Sequence, residues 1–171
     1  MKYLFLGACA LAFLGGLVTG KSAFASDSQQ VECMANNIYF ESRNQTLKGM
    51  MAVGLVTMNR VKDSRFPDTV CDVVYQGPTR KSWRDPTARY PIKHRCQFSW
   101  YCDGKSDDIP SQDIELFSLI LSMAFKIYYG EFKDFTDGAT HYHAYYVEPD
   151  WASTKTRTYR IDDHYFYRWE K

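Results

Sequence analysis

The first 25 residues constrain the rest of the chain most. They read MKYLFLGACALAFLGGLVTGKSAFA. One cation, Lys2, precedes an apolar run from Tyr3 to Val18, and small residues follow as Ala23-Phe24-Ala25. That order (charged, apolar, A-x-A) is the order of a secretory signal peptide. The competing reading is an uncleaved anchor, but a bilayer span asks for about 20 apolar residues. Cleavage after Ala25 would leave residues 26–171, a length suited to one domain.

Export changes how the cysteines and charges are read. Without Cys9, four cysteines remain: Cys33, Cys71, Cys96 and Cys102. An even number in an oxidising compartment points to two disulfides. Cys96 and Cys102 are close in sequence and form the favoured pair, which leaves Cys33 with Cys71. Zinc is the rival, but no C-x-x-C spacing is present. Without Lys2 and Lys21 the 21 basic residues become 19, against 20 acidic ones, a net charge of −1. That balance argues against a nucleic-acid partner, which asks for a strongly basic face. Aromatic residues make up 16% of the chain. Such a supply suits a carbohydrate cleft, although a Tyr-rich core would also use it.

The mature chain reads as helices followed by a small sheet. Residues 26–30 look like a short polar leader. Val31, Met34, Ala35 and Ile38 recur every three or four positions up to Glu41, as on one face of a helix. Thr46 can cap a second helix to about Lys62, with Leu47, Met50, Met51, Gly54, Leu55 and Met58 on one face. Phe66-Pro67-Asp68 marks a turn. Residues 76–112 show no period and read as a long ordered loop, and loops of that length are usually functional. Ser111 can cap a third helix from about Gln112 to Tyr129. Its expected buried face holds Ile114, Phe117, Leu121, Ala124 and Phe125, and Gly130 suits its end. Ala139 to Val147 and Thr158 to Trp169 are rich in strand formers. They are expected to pair antiparallel across residues 149–156. The fold class is therefore α+β.

Three groups of residues could carry chemistry. Glu41 ends an apolar helix beside Tyr39 and Phe40. A carboxyl group against aromatic surface is desolvated, which raises its pKa and suits it to general-acid work. The bland alternative is a surface Glu at a helix end. The segment Cys96 to Gly104 is the second group. A disulfide would pin it, so that Gln97 and Ser99 could meet sugar hydroxyls and Trp100 or Tyr101 could stack on a sugar. Asp103 could then be a second carboxylate. The bland alternative is a tied structural turn. The third group is Thr140-His141-Tyr142-His143. On a strand, His141 and His143 share one face and Tyr142 takes the other. With His164 the two histidines could bind a metal, or all could be ordinary strand residues. No glycine-rich phosphate loop and no G-x-S-x-G elbow is present.

Taken in order, the motifs have a match. Ile38-Tyr39-Phe40-Glu41-Ser42-Arg43 is followed by Gly49, Ala52-Val53 and Val56 to Val61. Then come Phe66-Pro67, Thr69-Val70-Cys71, Val73 to Gln76, Cys96-Gln97-Phe98-Ser99 and Cys102-Asp103-Gly104. Gly138 to His143 and His164-Tyr165-Phe166-Tyr167 complete the series. This pattern resembles the SleB-type cell wall hydrolases, relatives of spore-cortex-lytic enzymes. The resemblance implies a lysozyme-like helical core with a small sheet. It also implies cleavage of peptidoglycan between N-acetylmuramic acid and N-acetylglucosamine, in some members as a lytic transglycosylase. The family's catalytic glutamate falls on Glu41, and its cleft residues fall on Ser99 and Tyr142. Gln97, Asp103 and His143 complete the expected substrate-binding set.

Two positions depart from the family pattern. Where the family often reads E-A-R-G-E, this chain ends the motif in Gln45, which cannot ionise. Where the family often has Gly before the late His, this chain has Asp162.

Peptidoglycan is thus the expected partner of a monomeric, secreted or periplasmic chain. No cofactor, metal, nucleic acid or stable protein partner is expected. Attraction to an anionic wall could not come from a net charge of −1, so binding would rest on cleft shape and aromatic residues. The competing functions are a muramidase-type hydrolase using a second carboxylate, a metal-dependent amidase using His141, His143 and His164, and a non-catalytic glycan-binding module. Chelation would discriminate the amidase, and the retained Glu41 argues against a mere binder.

Overall fold

The structure is a computed structural model that describes residues 23–170, with side chains from residue 27 onward. The expected signal peptide lies outside the described residues, except that its last three positions begin the first helix.

Helix α1 (Ala23–Ser42) starts earlier than the periodicity predicts. The polar stretch 26–30 is not a separate leader but part of this helix. Long-range bonds hold it there. Asp27 accepts hydrogen bonds from the hydroxyls of Tyr128 (3.0 Å) and Tyr129 (3.4 Å). The Gln30 side-chain oxygen accepts the Cys71 N–H at 2.9 Å. Helix α2 (Leu47–Val61) is capped as expected, with the Thr46 hydroxyl accepting from the Gly49 N–H. Its burial differs from the expected single stripe. Ala52, Val53, Leu55 and Val56 are all buried, while Leu47 is exposed. The reason is that α2 is the central element. One side packs into the main core with Ile38, Ile120 and Ile127, and the other meets Ala139, Ile161 and Phe166 of the sheet region.

The centrality of α2 makes Gly54 a close-packing position. A β-carbon there would sit 2.6 Å from Ile127 Cδ1 and 2.9 Å from Ile38 Cδ1. Both isoleucines are buried, so neither has room to swing aside. Gly54→Ala should therefore destabilise the fold by about 1–3 kcal/mol, an ordinary cost of overpacking. Chemical denaturation would read this as a lowered midpoint at unchanged slope.

Beyond α2, a short helix α3 (Val70–Val74) is capped by Thr69 and bears Cys71, which is joined to Cys33 of α1. A helix of five residues is too short to show a period. The stretch expected as loop contains a two-stranded ribbon, β1 (Thr79–Lys81) with β2 (Arg89–Pro91), and a 3₁₀ turn at Ser99–Cys102. The Cys96–Cys102 disulfide closes that turn. Both expected pairings are therefore present.

Helix α4 (Ile114–Tyr128) follows a 3₁₀ turn at Ser111–Asp113. It presents Ile120, Met123, Ala124 and Ile127 to the core. Of the expected buried face only Ala124 is fully inside, while Ile114, Leu121 and Phe125 are exposed. The helix is apolar on most sides, so its own period does not select a face. Packing against α1 and α2 selects it. Gly130, at φ +75°, ends the helix. Its N–H bonds the Ile127 carbonyl and the Glu131 N–H bonds that of Lys126, a double closure that needs a left-handed residue.

The C-terminal sheet has three strands where two were expected. They are β3 (His141–Ala144), β4 (Thr156–Ile161) and β5 (His164–Arg168), in the order β3-β5-β4, all antiparallel. The segment expected as one strand is broken at Asp162-Asp163, where Asp162 adopts φ +48°. A tight turn there folds β5 back onto β4, so β3 pairs with β5 and not with β4, the next strand in sequence.

The two departures from the family pattern meet at this turn. The Thr46 N–H (3.0 Å) and hydroxyl (2.7 Å) both donate to one Asp162 oxygen. Gln45 donates to the Asp163 carboxylate (3.3 Å) and accepts the Asp163 N–H (3.2 Å). A glutamate at residue 45 would face that carboxylate with like charge, so Gln45 and the acidic turn form a matched pair. They lock the α1–α2 connection onto the sheet, just beyond Glu41.

Candidate active site

Glu41 lies in the last turn of α1, where the helix meets the sheet and the disulfide-tied turn. Its side chain is largely removed from water. Burial raises its carboxyl pKa above the ordinary value. Three groups pull in the opposite direction by favouring the anion: the Tyr142 hydroxyl, the Arg60 charge and the Ser99 backbone amide, in that order. Tyr142 reaches Glu41 from β3 and donates to Oε2 at 2.9 Å. Burial, then Glu41 itself, holds the Tyr142 phenol well above the usual range. Tyr142 therefore stays protonated and always donates. With Oε2 occupied as an acceptor, the Glu41 proton belongs on Oε1.

The aromatic surroundings come from both chain neighbours and long-range packing. Phe40 stacks on Trp100 with centroids 4.7 Å apart. The Trp100 indole N–H donates to Asn37 Oδ1 at 3.0 Å, and the Asn37 amide donates to the Thr57 hydroxyl at 3.2 Å. Thr57 in turn donates to the Val53 carbonyl at 3.1 Å. This buried chain of bonds ties the 3₁₀ turn to α1 and α2. Asn37 precedes Glu41 by one helical turn, so the same helix face holds the carboxyl group and the anchor of its roof.

Arg60 is the buried cation of the site. It is 4% exposed. Its Nε donates to the Thr140 carbonyl at 2.7 Å, and its guanidinium lies over the rings of Phe98 (4.9 Å) and Phe66 (5.3 Å). Nη1 is buried and has no hydrogen-bond partner among the described residues. Arg60 thus faces Glu41 and Tyr142 as an uncancelled charge in an apolar setting.

The residues expected from sequence separate into two groups. Ser99 and Asp103 line a groove beside Glu41, together with Phe40, Arg43 and Trp100. Asp103 is held ionised, first by the Lys105 backbone N–H at 2.8 Å and then by the Lys105 charge. Tyr142 completes the Glu41 pair. Gln97 is exposed next to this groove but does not line it. His143 lies elsewhere. It sits on the face of β3 opposite Tyr142, stacks on Tyr167 at 5.2 Å and contacts the Tyr167 hydroxyl at 2.9 Å. The alternation of a strand makes this unavoidable, since Tyr142 and His143 cannot share a face.

His141 is on the same outer face as His143, and both pack on Trp151. His164 faces inward against Tyr142. The three histidines are therefore not gathered as an amidase centre would require. Among the described residues no group of three His, Cys, Asp or Glu side chains has the geometry to hold a metal ion. His141 is kept neutral over most of the pH range, its pKa lowered to about 3 by burial and then by Arg60.

Sequence reasoning missed Asn37 and Arg60. Asn37 carried a faint signal, a polar residue interrupting an apolar helix at four positions before Glu41. Arg60 carried none, since an Arg in the last turn of a helix is ordinary.

Residues 44–167 match the Cell Wall Hydrolase family, a span that begins just after Glu41. The spore cortex-lytic enzyme of Oceanobacillus iheyensis is 39% identical over 46 residues, 27% of this chain and 17% of that protein. The spore cortex-lytic enzyme of Bacillus cereus is 41% identical over 46 residues, 27% of this chain and 18% of that protein. This chain therefore spans less than a fifth of those relatives. Two solved structures are similar over most of their length. The catalytic domain of the Bacillus cereus SleB protein gives a TM-score of 0.56 at 25% identity, over 84% of this chain and 91% of that one. The catalytic domain of the germination-specific lytic transglycosylase SleB from Bacillus anthracis gives 0.57 at 25% identity, over 88% and 98%. With the family's span covering most of the chain and the α+β fold shared with these catalytic domains, the protein belongs to the cell wall hydrolase family.

Proposed function

We propose that the domain cuts peptidoglycan glycan strands between N-acetylmuramic acid and N-acetylglucosamine, as a lytic transglycosylase, with Glu41 as both acid and base. The observation that carries this reading is the Glu41–Tyr142 pair: one desolvated carboxyl, oriented by a permanent donor, next to a groove lined by Phe40, Trp100 and polar or charged side chains. Protonated Glu41 gives its proton to the glycosidic oxygen as the bond to C1 breaks. The sugar ring takes on oxocarbenium character. The carboxylate left on Glu41 then removes the proton of the muramic 6-hydroxyl, whose oxygen attacks C1. The product is a 1,6-anhydro ring, and Glu41 ends protonated as it began. Tyr142, Arg60 and the Ser99 amide stabilise the carboxylate during the interval in which it is charged.

A single acid/base is enough for this reaction. The groups that shift Glu41 are a phenol, a cation and an amide, with no second carboxylate among them. One observation favours a second reading. Asp103 is ionised at the groove edge, as the second carboxylate of a hydrolase would be. Mass spectrometry of fragments released from purified peptidoglycan discriminates the two. Anhydro-muramyl ends support the transglycosylase, and reducing ends support the hydrolase. Export to a secreted or periplasmic location, with cleavage after Ala25, belongs to the same proposal, since peptidoglycan lies beyond the cytoplasmic membrane.

Tyr142→Phe tests the role of the donor. Losing its hydrogen bond removes a group that lowers the Glu41 pKa, so that pKa rises. The basic limb of the kcat profile, where Glu41 loses its proton, should move to higher pH. The rate at the optimum should fall by about 10- to 100-fold, the worth of a hydrogen bond to a charged group. An unmoved limb would show that Tyr142 does not act on Glu41.

A further inference from the structure

The near-neutral charge of the chain conceals a strong local asymmetry. Residues 79–95 contain Arg80, Lys81, Arg84, Arg89, Lys93 and Arg95, against Asp85 alone. That segment carries +5, so a total of +1 leaves −4 on the rest. It forms the β1–β2 ribbon and its return, and every residue of the two strands except Pro91 is exposed. Asp85 offsets one of the six, its carboxylate held ionised by the Thr87 hydroxyl (2.6 Å) and N–H (2.9 Å). Among the described residues, none of the six cations lies within ion-pair distance of a carboxylate.

The ribbon is built at a cost to stability. Lys81 stands directly opposite Arg89 across the two strands, and like charges in that position repel. A two-stranded ribbon is marginal even without repulsion. The tip adds Trp83, 85% exposed with the Arg84 guanidinium 4.8 Å over its ring, and Tyr90, 54% exposed on β2. An opposite charge brought from outside would relieve the repulsion.

The root of the ribbon adjoins the site. The Gln97 N–H donates to the Gln76 carbonyl at 2.9 Å, and a β-carbon on Gly77 would lie 3.0 Å from Cys96 Cα. Two residues beyond Gln97, the Ser99 amide acts on Glu41. The ribbon is therefore rooted in the turn that borders the groove, within reach of a polymer lying along it. In peptidoglycan the N-acetylated sugars are neutral, and the negative charge lies in the carboxylates of the stem peptides.

We infer that the β1–β2 ribbon is a substrate-gripping arm that binds stem-peptide carboxylates flanking the scissile bond, so the enzyme selects peptide-bearing strands over bare glycan. This rests on the peptidoglycan reading. The arm supplies locally the attraction that a near-zero net charge denies the whole molecule.

The test is equilibrium binding, in the full chain carrying Glu41→Gln so that no probe is consumed. The probes are soluble glycan strands bearing stem peptides, chitooligosaccharide strands of matched length that carry no carboxylate, and anionic phosphatidylglycerol vesicles. Tighter binding of peptide-bearing strands, by about tenfold and lost at high salt, is expected from several exposed ion pairs acting together. A fourfold variant (Arg80→Gln, Lys81→Gln, Arg84→Gln, Arg89→Gln) should bind both strands alike. The salt dependence of the unaltered ribbon is an independent reading should that variant not fold. Equal binding of the two strands without the ribbon changes, or tighter binding to vesicles than to strands, overturns the inference. The peptidoglycan reading fails separately, if the protein with Glu41 intact releases no fragments from any strand.

Discussion

Glu41→Gln should yield a folded protein that releases no detectable fragments from peptidoglycan. The side chains have the same shape, and the glutamine oxygen can still accept the Tyr142 hydroxyl that Glu41 accepts at 2.9 Å. What is lost is the proton. General-acid groups contribute about 100- to 10,000-fold to rate. Here the same side chain also serves as the base, so the loss should lie toward the upper end. Stability should hold or rise, since a buried ionisable group is replaced by a neutral one. Activity by turbidity clearing, beside a thermal melt of the same sample, reads both halves. Full activity in a folded Glu41→Gln protein would remove Glu41 from the mechanism.

The second large effect concerns stability. Cys33 and Cys71 join α1 to α3 across 38 residues. In the chain-entropy account, closing a loop of that size stabilises the fold by about 4 kcal/mol. That is a large share of the roughly 5–15 kcal/mol that holds a typical domain together. The double change Cys33→Ser, Cys71→Ser should therefore lower the denaturation midpoint severely, and thiol reductant should do the same to the unaltered protein. The replaced residues are not innocent, since Cys33 is buried in the main core. Reductant also opens Cys96–Cys102, so the double variant and the unaltered protein are compared with both reduced, which leaves only the altered side chains between them. A loss below about 1 kcal/mol in both would show that packing alone fixes α1 against α3.

The helical half of this site was legible in the sequence because its signals are local. Thr46 caps α2, Gly130 closes α4, and an acid beside two aromatic residues at a helix end marks Glu41. The pairing of four cysteines followed from proximity. Signals failed where tertiary contacts decide. Helix α4 is apolar on most sides, so Ile114, Leu121 and Phe125 looked as suited to the core as Ile120, Met123 and Ile127. The turn at Asp162-Asp163 carries a local signal, two adjacent residues that disfavour strands and favour turns, but strand formers on both sides outweigh it. Its purpose shows only through its bonds to Gln45 and Thr46, more than a hundred residues away. His143 was assigned to the cleft with Tyr142, though adjacent strand residues point to opposite faces. Arg60 was invisible because its significance lies in burial, under Phe98 and Phe66 and facing Glu41. The basic ribbon was visible all along in the sequence, but a balanced total charge masked it.

The mechanism depends most on one property, a proton held by Glu41 at a pH where ordinary glutamates have lost theirs. Isotope-labelled glutamate, followed by NMR through a pH titration with Glu41→Gln to assign the signal, measures it directly. A midpoint clearly above the ordinary 4.5 is the predicted result, because burial outweighs the combined pull of Tyr142, Arg60 and Ser99. A midpoint at or below 4.5 would mean that Glu41 is an anion at working pH, and would contradict its role as the acid.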